Sequence, residues 1–163
     1  MDNEPTNWFC DTCGEVINNA EEGWLEWIHD YRGDGKHHSF RITHHSSYSP
    51  LNKDHQGEGC YKYGNTPGRM DNHLDIFLGS KGLVYLMSKL DVGPLHQPTE
   101  KEPGVRSIRE WCEIVRRLHL PYYEEARRYW ALAKEDGFFD EANEVWIYSP
   151  ETLKKIIDKY GKN

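Results

Sequence analysis

The sequence is short of several things, and each shortage removes a class of explanation. It has three Met and only four Cys in 163 residues, and its hydrophobic content is 37%. No stretch approaches the roughly 20 consecutive apolar residues that a membrane span requires. The opening MDNEPTNW is acidic and carries no apolar core of the kind a secretory leader needs. Positive charge is also scarce: 20 Lys plus Arg face 27 Asp plus Glu, for a net charge of −7. That balance disfavours broad binding to nucleic acid, which relies on clustered cations. No Walker A loop, nucleotide-binding glycine motif, GxSxG elbow or HExxH helix is present. The expected setting is the cytoplasm, where thiols stay reduced and Cys signals metal or chemistry more than disulfides. Aromatic residues, in contrast, are plentiful: six Trp, ten Tyr and five Phe supply the bulk a core needs.

The chain changes texture near residue 70. Residues 1–70 hold six of the nine His and three of the four Cys, with no helical period. Within them Gly23 to His29 reads as a strand and Arg32 to Lys36 as a Gly-Asp-Gly turn. Ser39 to His44 reads as a second strand, with Phe40 and Ile42 facing inward and Arg41 and Thr43 outward. The result is a β-hairpin with one apolar face. Residues 46–70 form a polar loop long enough to demand a tether or a function.

Residues 71–163 read as helices. Asp71 or Asn72 opens a short one through Leu78, and Ser80 opens another with Leu83, Leu86, Met87 and Leu90 on one face. A Pro-containing linker spans 91–104. A helix over 105–119 places Ile108, Trp111, Cys112, Val115 and Leu118 on one stripe, with Cys112 read as a core residue. A further helix covers 122–136, and 145–148 reads as a strand. Ser149-Pro150 starts the last helix, through Leu153, Ile156, Ile157 and Tyr160. The expected class is α+β: a zinc-stapled N-terminal β-hairpin region (1–70) packed on a mainly helical region (71–163), the two sharing one core.

The most specific signal is Phe9-Cys10-Asp11-Thr12-Cys13-Gly14. Two Cys separated by two residues bring both sulfurs to one side of a tight turn, within reach of one tetrahedral ion. The segment resembles the zinc knuckle of zinc-ribbon and treble-clef proteins, a resemblance confined to residues 9–14. Cys60, following Gly57-Glu58-Gly59 in the polar loop, and His44, at the end of the second strand, complete a Cys3His set for a structural Zn2+. His44 shares parity with Phe40 and Ile42 and is preferred for that reason. His45 is the next choice and His55 a weaker one.

Other signals have plainer readings. His37 and His38 read as an exposed pair, and His29, His73 and His119 as surface or helix-end residues. Arg106, Arg109, Arg116 and Arg117, with Arg127 and Arg128, form a basic face open to an anionic partner or to surface pairing with Glu110, Glu113, Glu124 and Glu125. Tyr122, Tyr123, Tyr129, Trp130, Phe138, Phe139, Trp146 and Tyr148 are read as a core among the last helices. Two functions follow. The first is a non-catalytic module that binds another protein. The alternative is a metal-dependent nuclease resembling the HNH type, with one of His44 and His45 activating water and His55 or Asp71 holding a cation. That resemblance lacks a second CxxC and a spaced Asn and His.

Overall fold

A computed structural model describes residues 4–52, 57–91, 93–95, 104–143 and 145–161. The chain forms two small antiparallel sheets and a set of helices. The first sheet pairs β1 (Trp8–Phe9) with β2 (Val16–Ile17), flanking the CxxC turn. The second holds β3 (Gly23–His29), β4 (His37–His44) and β5 (Arg69–His73) in the order β4-β3-β5. The expected hairpin is therefore present, with a third strand added to its free edge.

That third strand departs from the sequence reading, which placed a helix at 71–78. Arg69–His73 pairs with β3 through Trp24↔His73, Glu26↔Asp71 and Ile28↔Arg69. Its side chains are too polar for a helix to bury a face, while β3 has an edge of unpaired backbone groups that needs a partner. A 3-10 helix, Leu74–Phe77, follows and buries Leu74 and Phe77. Ser39, with φ of 60°, marks a bulge in β4 where the register shifts opposite Trp27.

The sheet has two buried faces of opposite character. Leu25, Trp27, Phe40 and Ile42 join Trp8, Ile17, Leu74, Phe77, Leu86, Trp111, Ile114 and Leu118 in one apolar cluster. The other face carries Glu26 and Thr43, both fully buried, although Thr43 was expected to face solvent. The polar loop accounts for this. Lys62 donates its amide to Glu26 at 3.0 Å, and Tyr63 donates its hydroxyl to the Ser39 carbonyl at 2.7 Å. The loop thus lies over the second face and replaces water there.

The helices are α1 (Gly79–Met87), α2 (Ile108–His119), α3 (Tyr123–Ala126), α4 (Trp130–Glu135) and α5 (Pro150–Tyr160). Ser107 caps α2 by accepting from the Glu110 amide, and Ser149 caps α5 by accepting from the Thr152 amide. The expected 122–136 helix is broken by a 3-10 turn at Arg127–Tyr129, and the expected 145–148 strand is a 3-10 turn at Trp146–Tyr148. Helix α2 buries Trp111, Ile114 and Leu118, with Cys112 only half-buried and Ile108 exposed. Helix α1 buries Gly82 and Leu86, leaving Leu83, Val84 and Met87 exposed. A second cluster gathers Tyr123, Ala126, Ala133, Leu153, Ile156 and Tyr160, with Trp130, Phe138, Phe139 and Tyr148 packed around it; Trp146 is exposed.

Arg117 joins the two clusters. Expected on an outer basic face, it is 2% exposed. Its guanidinium donates to Glu124 at 2.7 and 2.8 Å, to Asp11 at 2.6 Å and to the Phe9 carbonyl at 2.9 Å. Burial opposes the charge, yet the hydrogen bonds and charges of Glu124 and Asp11 hold its pKa above the ordinary range.

Candidate metal centre

The CxxC segment is a tight turn closed by its own backbone. Cys10 donates to the Glu15 carbonyl at 3.0 Å and Gly14 donates to the Cys10 carbonyl at 2.9 Å. Gly14 sits at φ 78°, in the left-handed region that only glycine enters at low cost. The Thr12 amide points at Cys10 Sγ, 3.4 Å away. The turn is laid against β4: Asp11 donates its amide to the Ile42 carbonyl and accepts the Ile42 amide, both at 2.8 Å.

This placement brings Cys10 and Cys13 to the end of β4, where His44 arrives from the core face. Its neighbour across the sheet is Gly23, so no side chain there crowds the imidazole. Cys60 arrives from the polar loop. Gly59 makes that approach possible, because at φ 60° its missing Cβ would lie 2.6 Å from Ser49 Cβ. Thr12 closes the connection by donating its hydroxyl to the Cys60 carbonyl at 2.5 Å.

Cys10 Sγ, Cys13 Sγ, Cys60 Sγ and a ring nitrogen of His44 all lie within 4.8 Å of one another, close enough to hold a metal ion. His44 Nδ1 is 3.5 Å from Cys13 Sγ and 3.8 Å from Cys60 Sγ. A tetrahedral zinc with Zn–S of about 2.3 Å and Zn–N of about 2.0–2.1 Å separates sulfur from nitrogen by about 3.5 Å. The spacings therefore suit one such ion. The tautomer suits it too. His44 Nε2 lies 3.1 Å from the Val16 carbonyl, which can only accept, so the proton sits on Nε2 and the Nδ1 lone pair faces the sulfurs. Metal-bound imidazoles are commonly oriented by such a partner on the far nitrogen.

The electrostatics of the three thiols are coupled. Burial raises Cys10, but amides of Cys13, Thr12 and His44 directed at its sulfur bring it down to about 7. Burial and the neighbouring Cys10 push Cys60 up to about 12, against the pull of Ser49, whose hydroxyl is 3.0 Å from its sulfur. Cys13 is raised by burial and by Cys10. One thiolate forms readily and its negative charge then resists the other two. A cation at the centre is what relieves that repulsion, and its binding would release the protons.

The sequence left the histidine open, and the geometry separates the candidates. His45 lies outside the cluster. Its Nδ1 accepts the Ser47 amide at 3.2 Å, and its ring stacks on His73 and packs against Trp24. His55 lies outside the described residues. His37, expected to be exposed, is part of β4: it accepts the Trp27 indole N–H at 3.0 Å and stacks on His29 at 4.4 Å. Burial, with Lys89 and His29 adding repulsion, lowers its pKa to about 4.

Residues that support the site were not singled out in the sequence. Ser49 touches Cys60. Asn52 brackets the loop, donating to the Ser46 and Gly57 carbonyls and accepting the Gly57 amide. Glu26 holds the Lys62 amide two residues beyond Cys60. Nothing in the sequence shows that a loop would cover Glu26. Scanning protein-family models, curated proteins and solved structures returned no match to this chain.

Proposed function

We propose that Cys10, Cys13, His44 and Cys60 hold one structural Zn2+, and that the protein is a non-catalytic, protein-binding or regulatory module stapled by that ion. The observation that carries this reading is the cluster itself: three sulfurs and one correctly oriented imidazole, all buried but the half-buried Cys13, and mutually spaced for tetrahedral coordination. Four protein ligands leave no position for substrate or water, which suits a structural ion rather than a catalytic one. On this reading residues 9–14 act as a zinc knuckle, and the ion pins the polar loop to the hairpin.

Another protein is the favoured partner. Val84, Met87, Val145 and Trp146 are all more than half exposed, and exposed apolar and aromatic side chains are the raw material of such contacts. The net charge of −7 disfavours nucleic acid. Among the described residues no helix is long and apolar enough to cross a membrane; a cytoplasmic setting accords with reduced thiols. The HNH-like alternative is less well supported. His45 Nδ1 is occupied by the Ser47 amide, and Asp71 pairs with Arg69 at 2.9 Å.

Elemental analysis of protein purified without a His tag, combined with thiol titration, tests the proposal. The expected result is one zinc per chain with only Cys112 reactive until a chelator is added. Four reactive thiols and no zinc would refute it.

A further inference from the structure

The basic face foreseen on the 105–119 helix resolves into individual fates. Arg106 is bound to Asp30 and Asp34, each at 2.9 Å, and Arg117 is buried on Glu124 and Asp11. Arg128 lies over the Phe9 ring at 4.0 Å. Two remain. Arg109 makes no hydrogen bond or ion pair among the described residues. Arg116 stacks on the Tyr148 ring at 4.1 Å and keeps its N–H edges free of protein partners there.

Both line a groove of about 550 Å³ between α2 and the C-terminal helices. That volume falls within the about 300–1,000 Å³ of typical small-molecule sites. One wall belongs to the first apolar cluster through α2. The other belongs to the second, through Arg127 and the rings of Trp130 and Tyr148, which stack on each other at 5.7 Å and 11° with Arg116 over Tyr148.

Two acids also line the groove, and both are engaged. Glu110 accepts the Phe40 amide at 2.5 Å. Glu113 accepts the Tyr123 hydroxyl at 2.5 Å and pairs with Arg127 at 3.1 Å. The positive charge without a partner is therefore that of Arg109 and Arg116. They stand seven residues apart on one face of α2, a rise of about 10 Å. Guanidinium groups present paired donors that match phosphate oxygens, and Trp130 in the wall offers a planar ring an aromatic partner.

We propose that this groove is a binding site for a small phosphorylated ligand carrying a planar ring, of the nucleoside diphosphate class. Arg109 and Arg116 hold the phosphates, and the ring lies against Trp130. The overall charge of −7 sharpens the selection. A long polyanion meets the repulsion of the whole surface, whereas a compact anion within the groove is dominated by the two guanidiniums at about 8–10 Å screening lengths. Because the walls come from both clusters, the ligand clamps them together and stabilises the fold by mass action.

The test is calorimetric titration of the metal-loaded full chain with adenosine diphosphate, pyrophosphate and adenosine. The expected result is saturable one-to-one binding of adenosine diphosphate, weaker binding of pyrophosphate, and still weaker binding of adenosine. Arg109→Gln and Arg116→Gln should each weaken adenosine diphosphate about ten-fold or more, the loss expected for a charge-assisted contact. Arg109 touches no described partner, so its variant should melt like the parent and keeps the test clean if Arg116→Gln destabilises the fold. Absence of saturation at millimolar ligand, or unchanged affinity in Arg109→Gln, would overturn the proposal. Pyrophosphate binding as tightly as adenosine diphosphate would overturn its planar-ring part.

Discussion

Replacing Arg117 with Leu should be among the most damaging single changes in this protein. The guanidinium satisfies both oxygens of Glu124, one oxygen of Asp11 and the Phe9 carbonyl. Glu124 has a side chain only 3% exposed, and its remaining cation, Arg127, stands at 3.6 Å with poorer geometry. Each carboxylate keeps one amide, Phe9 on Glu124 and Ile42 on Asp11, but Asp11 is 21% exposed, so its loss is the smaller. Removing one partner of a buried pair costs about 3–5 kcal/mol, because the other charge is left without compensation. For a chain of this size that corresponds to a fall in Tm of roughly 6–20 °C. Urea unfolding followed by tryptophan fluorescence measures it directly, since Trp8 donates its indole N–H to the Arg117 carbonyl at 3.1 Å and reports on the same region. The double variant Arg117→Leu/Glu124→Gln should recover a substantial part of the loss. A single-variant cost below about 1 kcal/mol, at the level of an exposed pair, would refute this account. So would a double variant no better than the single one.

Three further outcomes are expected. Gly59→Ala should lower metal affinity and destabilise the loop by about 1–3 kcal/mol, because it adds left-handed strain to a clash with Ser49; zinc retention during competition with a chelator reads the effect. His37 is held neutral by burial down to about pH 4, whereas in the unfolded chain it protonates near its ordinary 6.5. The unfolded state therefore binds the extra proton, and stability falls as pH drops from 6.5 towards 4, by at most on the order of 3 kcal/mol. His37→Gln should flatten that part of the stability profile, and an unchanged slope would exclude His37 as its source. Glu26→Ala removes the carboxylate that anchors the Lys62 amide, so it should speed hydrogen exchange at Lys62 and raise the reactivity of Cys60 in the metal-free protein. Equal exchange rates in the two proteins would contradict that role.

The parts legible in sequence are those governed by local chemistry. The Gly-Asp-Gly turn and the alternation of Phe40 and Ile42 placed the β3–β4 hairpin, and the CxxC spacing with strand parity selected Cys10, Cys13, His44 and Cys60. The cap at Ser149 is local as well and was read as the start of the last helix, whereas Ser107 caps α2 inside a span expected to be helical from 105. What escaped depends on distant partners. Arg69–His73 has no strand pattern of its own and is a strand because β3 offers it an edge. Thr43 and Glu26 are buried because an aperiodic loop covers them. Arg117 looked like one more surface cation on a basic stripe, since its acidic partners lie on the CxxC turn and α3. Trp146 and Val145 read as a strand by composition, yet composition cannot show that the chain turns there instead.

On the proposed reading, the second face of the sheet is where a bound ion would act on the fold. The loop from Ser46 to Gly68 brings few apolar side chains, so burial alone offers little to offset the backbone entropy of ordering it. Its contacts include the Asn52 clamp, the amide of Lys62 on Glu26, the Tyr63 hydroxyl on Ser39 and the Cys60 corner. The first is local and the second depends on a carboxylate whose pKa burial raises despite the Lys62 and Tyr63 amides and Arg41. Cys60 is the contact that ties the loop to the chain's start, across 50 residues from Cys10. A cross-link closing so long a stretch removes more unfolded-state freedom than a short one, so a metal bound there acts chiefly on the folding equilibrium of the loop and the hairpin. The metal-free protein should then lose structure first at residues 57–63, while α5 and its cluster keep theirs. Hydrogen exchange before and after chelation distinguishes this from global unfolding. Simultaneous loss of protection at Ile156 and at Cys60 would mean that the ion supports the whole fold and not the loop in particular.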